Sequence, residues 1–84
     1  MAKLPRAPAE KHVKAFERDG WTVARVTGSH YILSKPGCAF QLSIPYHKGR
    51  IVKVGLLKGL IRDAGLTNEE YLALFYGRRR RRKG

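Results

Sequence analysis

Two closely spaced turn signals, Gly28-Ser29 and Pro36-Gly37, cut the stretch from Trp21 to Ile44 into three short runs. Each run is rich in residues that suit a pleated, half-buried strand: Trp21 to Val26, His30 to Lys35 and Cys38 to Ile44. Pro36 pre-sets φ and Gly37 accepts a positive φ, which makes the second turn tight. Links this short cannot carry a crossover, so successive strands must be antiparallel neighbours. The prediction is a three-stranded meander, closed by Pro45, which has no N–H to extend a central ladder.

Such a sheet has one apolar face to hide, and the flanking segments supply helices to cover it. Ala9, Val13 and Phe16 recur at spacings of four and three residues after Pro8, and the helix stops at Asp19-Gly20. His12, between Lys11 and Val13, reads as a surface residue of that helix. Val54, Leu57, Leu60, Ile61 and Ala64 form a second apolar stripe, ended by Gly65. Thr67-Asn68-Glu69-Glu70 is a capping box that starts a short third helix carrying Tyr71, Leu72, Leu74 and Phe75 and ended by Gly77. The expected fold class is α+β, a two-layer sandwich in the order α-β-β-β-α with an additional short C-terminal helix. Residues 1–7 read as a flexible N-terminal arm, 8–77 as a single domain and 78–84 as a basic, mobile tail. Trp21 is expected in the core. Cys38 has no activating partner in sequence and reads as an inert strand thiol.

Composition bears on partners more than on fold. The 84 residues hold 18 Lys and Arg against 6 Asp and Glu, a formal net charge of +12. Half of that excess lies in the run 78–83, so the rest of the chain is basic without it. A polyanionic partner is implied. A single cysteine rules out an intrachain disulfide framework, and with only three scattered histidines neither a structural metal nor a cofactor is expected. No apolar run reaches the ~20 residues that span a bilayer, and the first residues lack the apolar core of a signal peptide, so the expectation is a cytoplasmic protein. Phosphate-loop and G-x-S-x-G signatures are missing.

Four stretches, taken in order, resemble one family: Asp-Gly-Trp at 19–21, Gly-Ser-His at 28–30, Ile-Pro-Tyr-His-Lys-Gly at 44–49, and Lys-x-Gly-x-Leu…Ala-Gly-Leu from Lys53 to Leu66. The set is similar to the HicA-type (YcfA-like) toxins of bacterial toxin–antitoxin pairs and covers about residues 9–72. The resemblance implies a fold like that of a double-stranded-RNA-binding domain. It implies ribosome-independent cleavage of mRNA, with His30 of the Gly-Ser-His stretch as the catalytic residue, and a HicB-type antitoxin that covers the active site. It explains neither the N-terminal arm nor the arginine-rich tail.

The residues are compatible with that chemistry. RNA carries its own nucleophile, the 2′-OH, so cleavage needs a base for its proton, an acid for the leaving 5′-oxygen and positive charge near the phosphorus. Histidine suits either proton-transfer role. Candidate substrate contacts are Ser29, Lys35, His47, Lys48, Arg50 and Lys53. Arg78, Arg79, Arg80, Arg81, Arg82 and Lys83 are candidates for sequence-blind RNA contact. Trp21 and Tyr31 are possible stacking surfaces for bases. Alternatives stay open on sequence alone: His30 as a half-buried strand histidine, His47 as a loop histidine without chemistry, Ser29 as turn chemistry and the tail as a solvated extension. The competing function is a non-catalytic RNA-binding module. A free monomer is expected.

Overall fold

A computed structural model describes residues 3–77, in the order α1 (Ala9–Arg18), β1 (Thr22–Val26), β2 (His30–Ser34), β3 (Leu42–Pro45), α2 (Val54–Asp63) and α3 (Asn68–Phe75). The chain is α+β, with the expected element order. The tail contacts anticipated for residues 78–83 lie outside the described residues.

The three strands form one antiparallel sheet with β2 in the centre. Leu33 faces Val23 on one side and Leu42 on the other, and Tyr31 faces Ile44. Strand side chains alternate between faces, so Tyr31, Leu33, Leu42, Ile44 and Val23 share one side. Leu33, Leu42 and Ile44 are buried there, and Val23 and Tyr31 pack against them. His30, Ile32, Ser34 and Ser43 take the opposite face. A register shift between Val23 and Arg25 puts a bulge at Ala24 on edge strand β1. Bulges of this kind twist an exposed edge away from further pairing.

Helices α1 and α2 pack on the apolar face, and α3 packs on those two helices. Phe16 and Val13 of α1, Leu57, Leu60 and Ile61 of α2, and Tyr71 and Leu74 of α3 join Trp21 and the sheet residues in one core. Trp21 is buried, as expected. Its indole N–H donates to Asp19 Oδ2 at 3.2 Å, so the polar edge of the ring is satisfied. Helix α1 turns out of its last turn at Gly20, where φ is +101°. The capping box of α3 is complete: Thr67 Oγ1 accepts from the Glu70 N–H at 3.0 Å, and Glu70 Oε1 accepts from the Thr67 N–H at 2.9 Å.

Three expectations need correction. His12 is fully buried, not on the surface. It stands three residues after Ala9 and four before Phe16, squarely on the apolar stripe of α1, and polarity alone argued it outward. The third strand starts at Leu42, not at Cys38. The Cys38 N–H donates to the Lys35 carbonyl at 3.0 Å and closes the Pro36-Gly37 turn, so Cys38 is a half-buried loop thiol packed on the core. Pro45 also belongs to β3, on the edge of the sheet, where its missing N–H is tolerated. Finally, the segment read as a flexible arm is laid against the domain from Leu4 onward. Leu4 and Ala7 are buried, the Ala7 carbonyl accepts from the Val52 N–H at 3.0 Å, and Pro8 bridges to Ile51.

Candidate active site

His30 is the first residue of the central strand. Thr27 fixes its backbone. The His30 N–H donates to Thr27 Oγ1 at 3.0 Å, and the His30 carbonyl accepts from the Thr27 N–H at 2.8 Å. The loop between them is therefore closed on itself. Ser29 is anchored separately, its carbonyl accepting from the Tyr46 N–H at 2.7 Å. These bonds hold the Gly-Ser-His turn against the end of β3, where His30 is paired with Pro45.

The imidazole is half-buried on the sheet face that no helix covers. Its Nδ1 lies 3.2 Å from Ser29 Oγ. A hydrogen bond on one ring nitrogen fixes the ring plane and leaves Nε2 as the nitrogen for proton transfer. Gly28, in the same turn, has an ordinary negative-φ backbone, and a Cβ there would meet nothing within 4 Å. The fold does not require glycine at this position. On the core side of the same strand end, the Tyr31 and Tyr46 rings meet edge to face, 5.3 Å apart. The Tyr31 phenol is held above its usual range by desolvation first, then by the charge of Glu10 and by Tyr46.

Beyond Pro45 the chain enters a basic loop. His47, Arg50 and Lys53 line one cleft of about 310 Å³ together with Pro45, Ile51, Val52 and Leu56. The Arg50 N–H donates to the His47 carbonyl at 2.8 Å, which folds the His47-Lys48-Gly49-Arg50 turn and puts Arg50 back beside His47. Ile51 and Leu56 give the cleft an exposed apolar wall. Lys48 is exposed on the turn itself and does not line the cleft.

Of the residues singled out from sequence, the fold groups Ser29 with His30, and His47, Arg50 and Lys53 with one another. The two groups are joined through Pro45. Lys35 is not among them. It follows the far end of β2, about 16 Å along the strand from His30 at ~3.3 Å per residue. There its Nζ bonds Asp19 Oδ2 at 3.1 Å and lies 5.7 Å from the centre of the Trp21 ring. Trp21 is buried and is not a stacking surface. Sequence reasoning missed Thr27 and Arg6. A threonine three residues before a histidine at a turn is a legible capping signal; Arg6, which lines an adjoining cleft with Ile51, Val52, Lys53 and Val54, gave none because its segment read as an arm.

Over residues 9–66 the chain matches the family described as the HicA toxin of bacterial toxin–antitoxin systems, a class of toxins paired with an antitoxin partner. The match takes in every element from α1 to α2 and stops short of α3. The chain belongs to the HicA toxin family. No curated protein and no solved structure matches it. Among the described residues no helix is long and apolar enough to cross a membrane.

Proposed function

We propose that this toxin is an endoribonuclease that cleaves mRNA without a metal ion, using His30 as a general acid/base. The observation that carries the reading is the place of His30 in a HicA-family chain. It heads the central strand on the uncovered sheet face, with Nδ1 held by Ser29 and a cationic cleft beginning at its strand partner Pro45.

In the proposed reaction the substrate's 2′-oxygen attacks the adjacent phosphorus and the bond to the 5′-oxygen breaks. A base removes the 2′-OH proton and an acid protonates the departing oxygen, leaving a 2′,3′-cyclic phosphate. His30 Nε2 serves one of these transfers. Ser29 orients the ring, and its hydroxyl is also near enough to the open face to contact phosphate. Arg50 and Lys53, with Lys48 on the loop above, supply positive charge to the substrate backbone. His47 is the candidate for the second proton transfer or for a substrate contact. The order α-β-β-β-α fits the double-stranded-RNA-binding-like fold read from the family resemblance, and a HicB-type antitoxin is proposed to cover the His30 face. The site of action is the cytoplasm, where mRNA is available.

The test is incubation of the purified chain with a defined single-stranded RNA in the presence of EDTA. Shortened products ending in cyclic phosphate are expected. RNA that is retarded on a gel and stays full length would leave a binding module only.

A further inference from the structure

A second basic surface lies on the helical layer, away from His30. Lys11, Lys14 and Arg18 follow one another at three and four residues along α1, all exposed, on the side opposite its buried stripe. The two lysines are in no ion pair among the described residues. Arg18 is fixed: its Nη1 donates to the Leu74 carbonyl at 2.7 Å and the Phe75 carbonyl at 3.5 Å, which ties the end of α1 to the end of α3. Phe75 and Tyr76 meet there edge to face at 5.1 Å, and Tyr76 is 62% exposed. These five residues and Glu10 line a single cleft of about 570 Å³. Glu10 contributes one opposing charge, and Glu17 lies further along the same helix.

The described chain ends beside this cleft, at Gly77, and the sequence continues with six consecutive cations, Arg78 to Lys83. An unpartnered row of lysines with an exposed aromatic at its end is the composition of a single-strand platform: charge tracks the phosphates and the ring stacks on a base. We propose that the α1–α3 face binds single-stranded RNA as a grip separate from the His30 face. The sheet lies between the two, because α1 packs on the side that buries Leu33 while His30 takes the other. The inference rests on RNA being the ligand of this chain, and it assigns α3 and Tyr76, outside the family match, a role in holding it.

The test measures binding apart from cleavage. Every protein is full length and carries His30→Ala, and the probe is a fluorescein-labelled single-stranded RNA of mixed sequence followed by anisotropy across a salt series. The double change Lys11→Gln and Lys14→Gln is expected to weaken binding about tenfold at low salt and to flatten the log–log salt slope by about 1.4, at ~0.7 per phosphate contact. Tyr76→Ala is expected to weaken binding about fivefold or more with the salt slope unchanged. All three residues are exposed, and circular dichroism melts establish that the variants fold. Unchanged RNA affinity and slope would overturn the proposal. Retained RNA affinity with lost binding to a polyglutamate peptide would also overturn it and make the face a protein-docking surface. Cleavage by the His30 form is scored separately. A chain that binds through Lys11, Lys14 and Tyr76 but never cuts would remove the nuclease reading and leave this one standing.

Discussion

His12 on α1 and Tyr71 on α3, 59 residues apart, are joined inside the core by a hydrogen bond of 2.5 Å between the imidazole Nδ1 and the phenol oxygen. Burial raises the Tyr71 phenol above its usual range, so it keeps its proton and donates it to Nδ1. The neutral ring then carries its own hydrogen on Nε2, which has no partner in hydrogen-bond geometry among the described residues. Phe75 and Phe16 pack on the pair, with His12–Phe75 and Phe16–Tyr71 centroids 5.3 and 5.0 Å apart. A polar bond in an apolar layer thus fixes how the two helices meet.

This arrangement makes stability depend on pH. Desolvation lowers the His12 pKa from 6.5 to about 4, partly offset by the Ala7 backbone. Between those values the unfolded chain binds a proton that the folded chain does not, so stability is full above about pH 6.5 and falls as the pH drops toward 4. The loss approaches about 3 kcal/mol at the low end, at 1.36 kcal/mol per unit. Urea unfolding of the wild type and His12→Gln across this range should show the steeper decline in the wild type. Parallel declines would remove His12 as the source.

His12 also marks where the sequence stops being legible. The spacing that placed Val13 and Phe16 inward placed His12 with them, yet a histidine between a lysine and a valine offers no sign that Tyr71 is its partner. The strands around Gly28-Ser29 were readable because a link of three residues leaves only an antiparallel pairing. The start of β3 was not, because Cys38 to Gln41 has strand-like composition while the Lys35–Cys38 turn bond takes the backbone elsewhere. In the site, the Gly-Ser-His turn was visible as a motif. The separation of Lys35 from His30 was not, since basic residues at opposite ends of one strand look equally available in a linear chain.

Lys35 accordingly serves the fold. Its bond to Asp19 is partly exposed, the two side chains being 32% and 17% accessible, and such pairs contribute about 1 kcal/mol or less. Lys35→Ala is expected to lower stability by no more than that and to leave single-turnover RNA cleavage at saturating protein unchanged. A cleavage defect in a folded Lys35→Ala protein would return Lys35 to the substrate path.

Gly28 separates fold from function in the opposite sense. A methyl group there meets no neighbour and strains no backbone, so Gly28→Ala should melt within about 0.5 kcal/mol of the wild type, as exposed substitutions usually do. If RNA approaches His30 over this turn, the same change should reduce kcat/KM by about tenfold or more, since misplacement of about 1 Å at a reacting centre costs up to a hundredfold. Wild-type kcat/KM in Gly28→Ala would mean that substrate reaches the imidazole from elsewhere.

The central claim turns on the His30 imidazole, and single-turnover cleavage of a defined RNA by His30→Ala measures it most directly. The ring is half-buried and, among the described residues, its side-chain bond is to the neighbouring Ser29, so its removal leaves the core intact. The variant should fold, retain RNA binding and cleave at least about a hundredfold more slowly than the wild type. Cleavage at the wild-type rate by a folded His30→Ala protein would contradict the assignment.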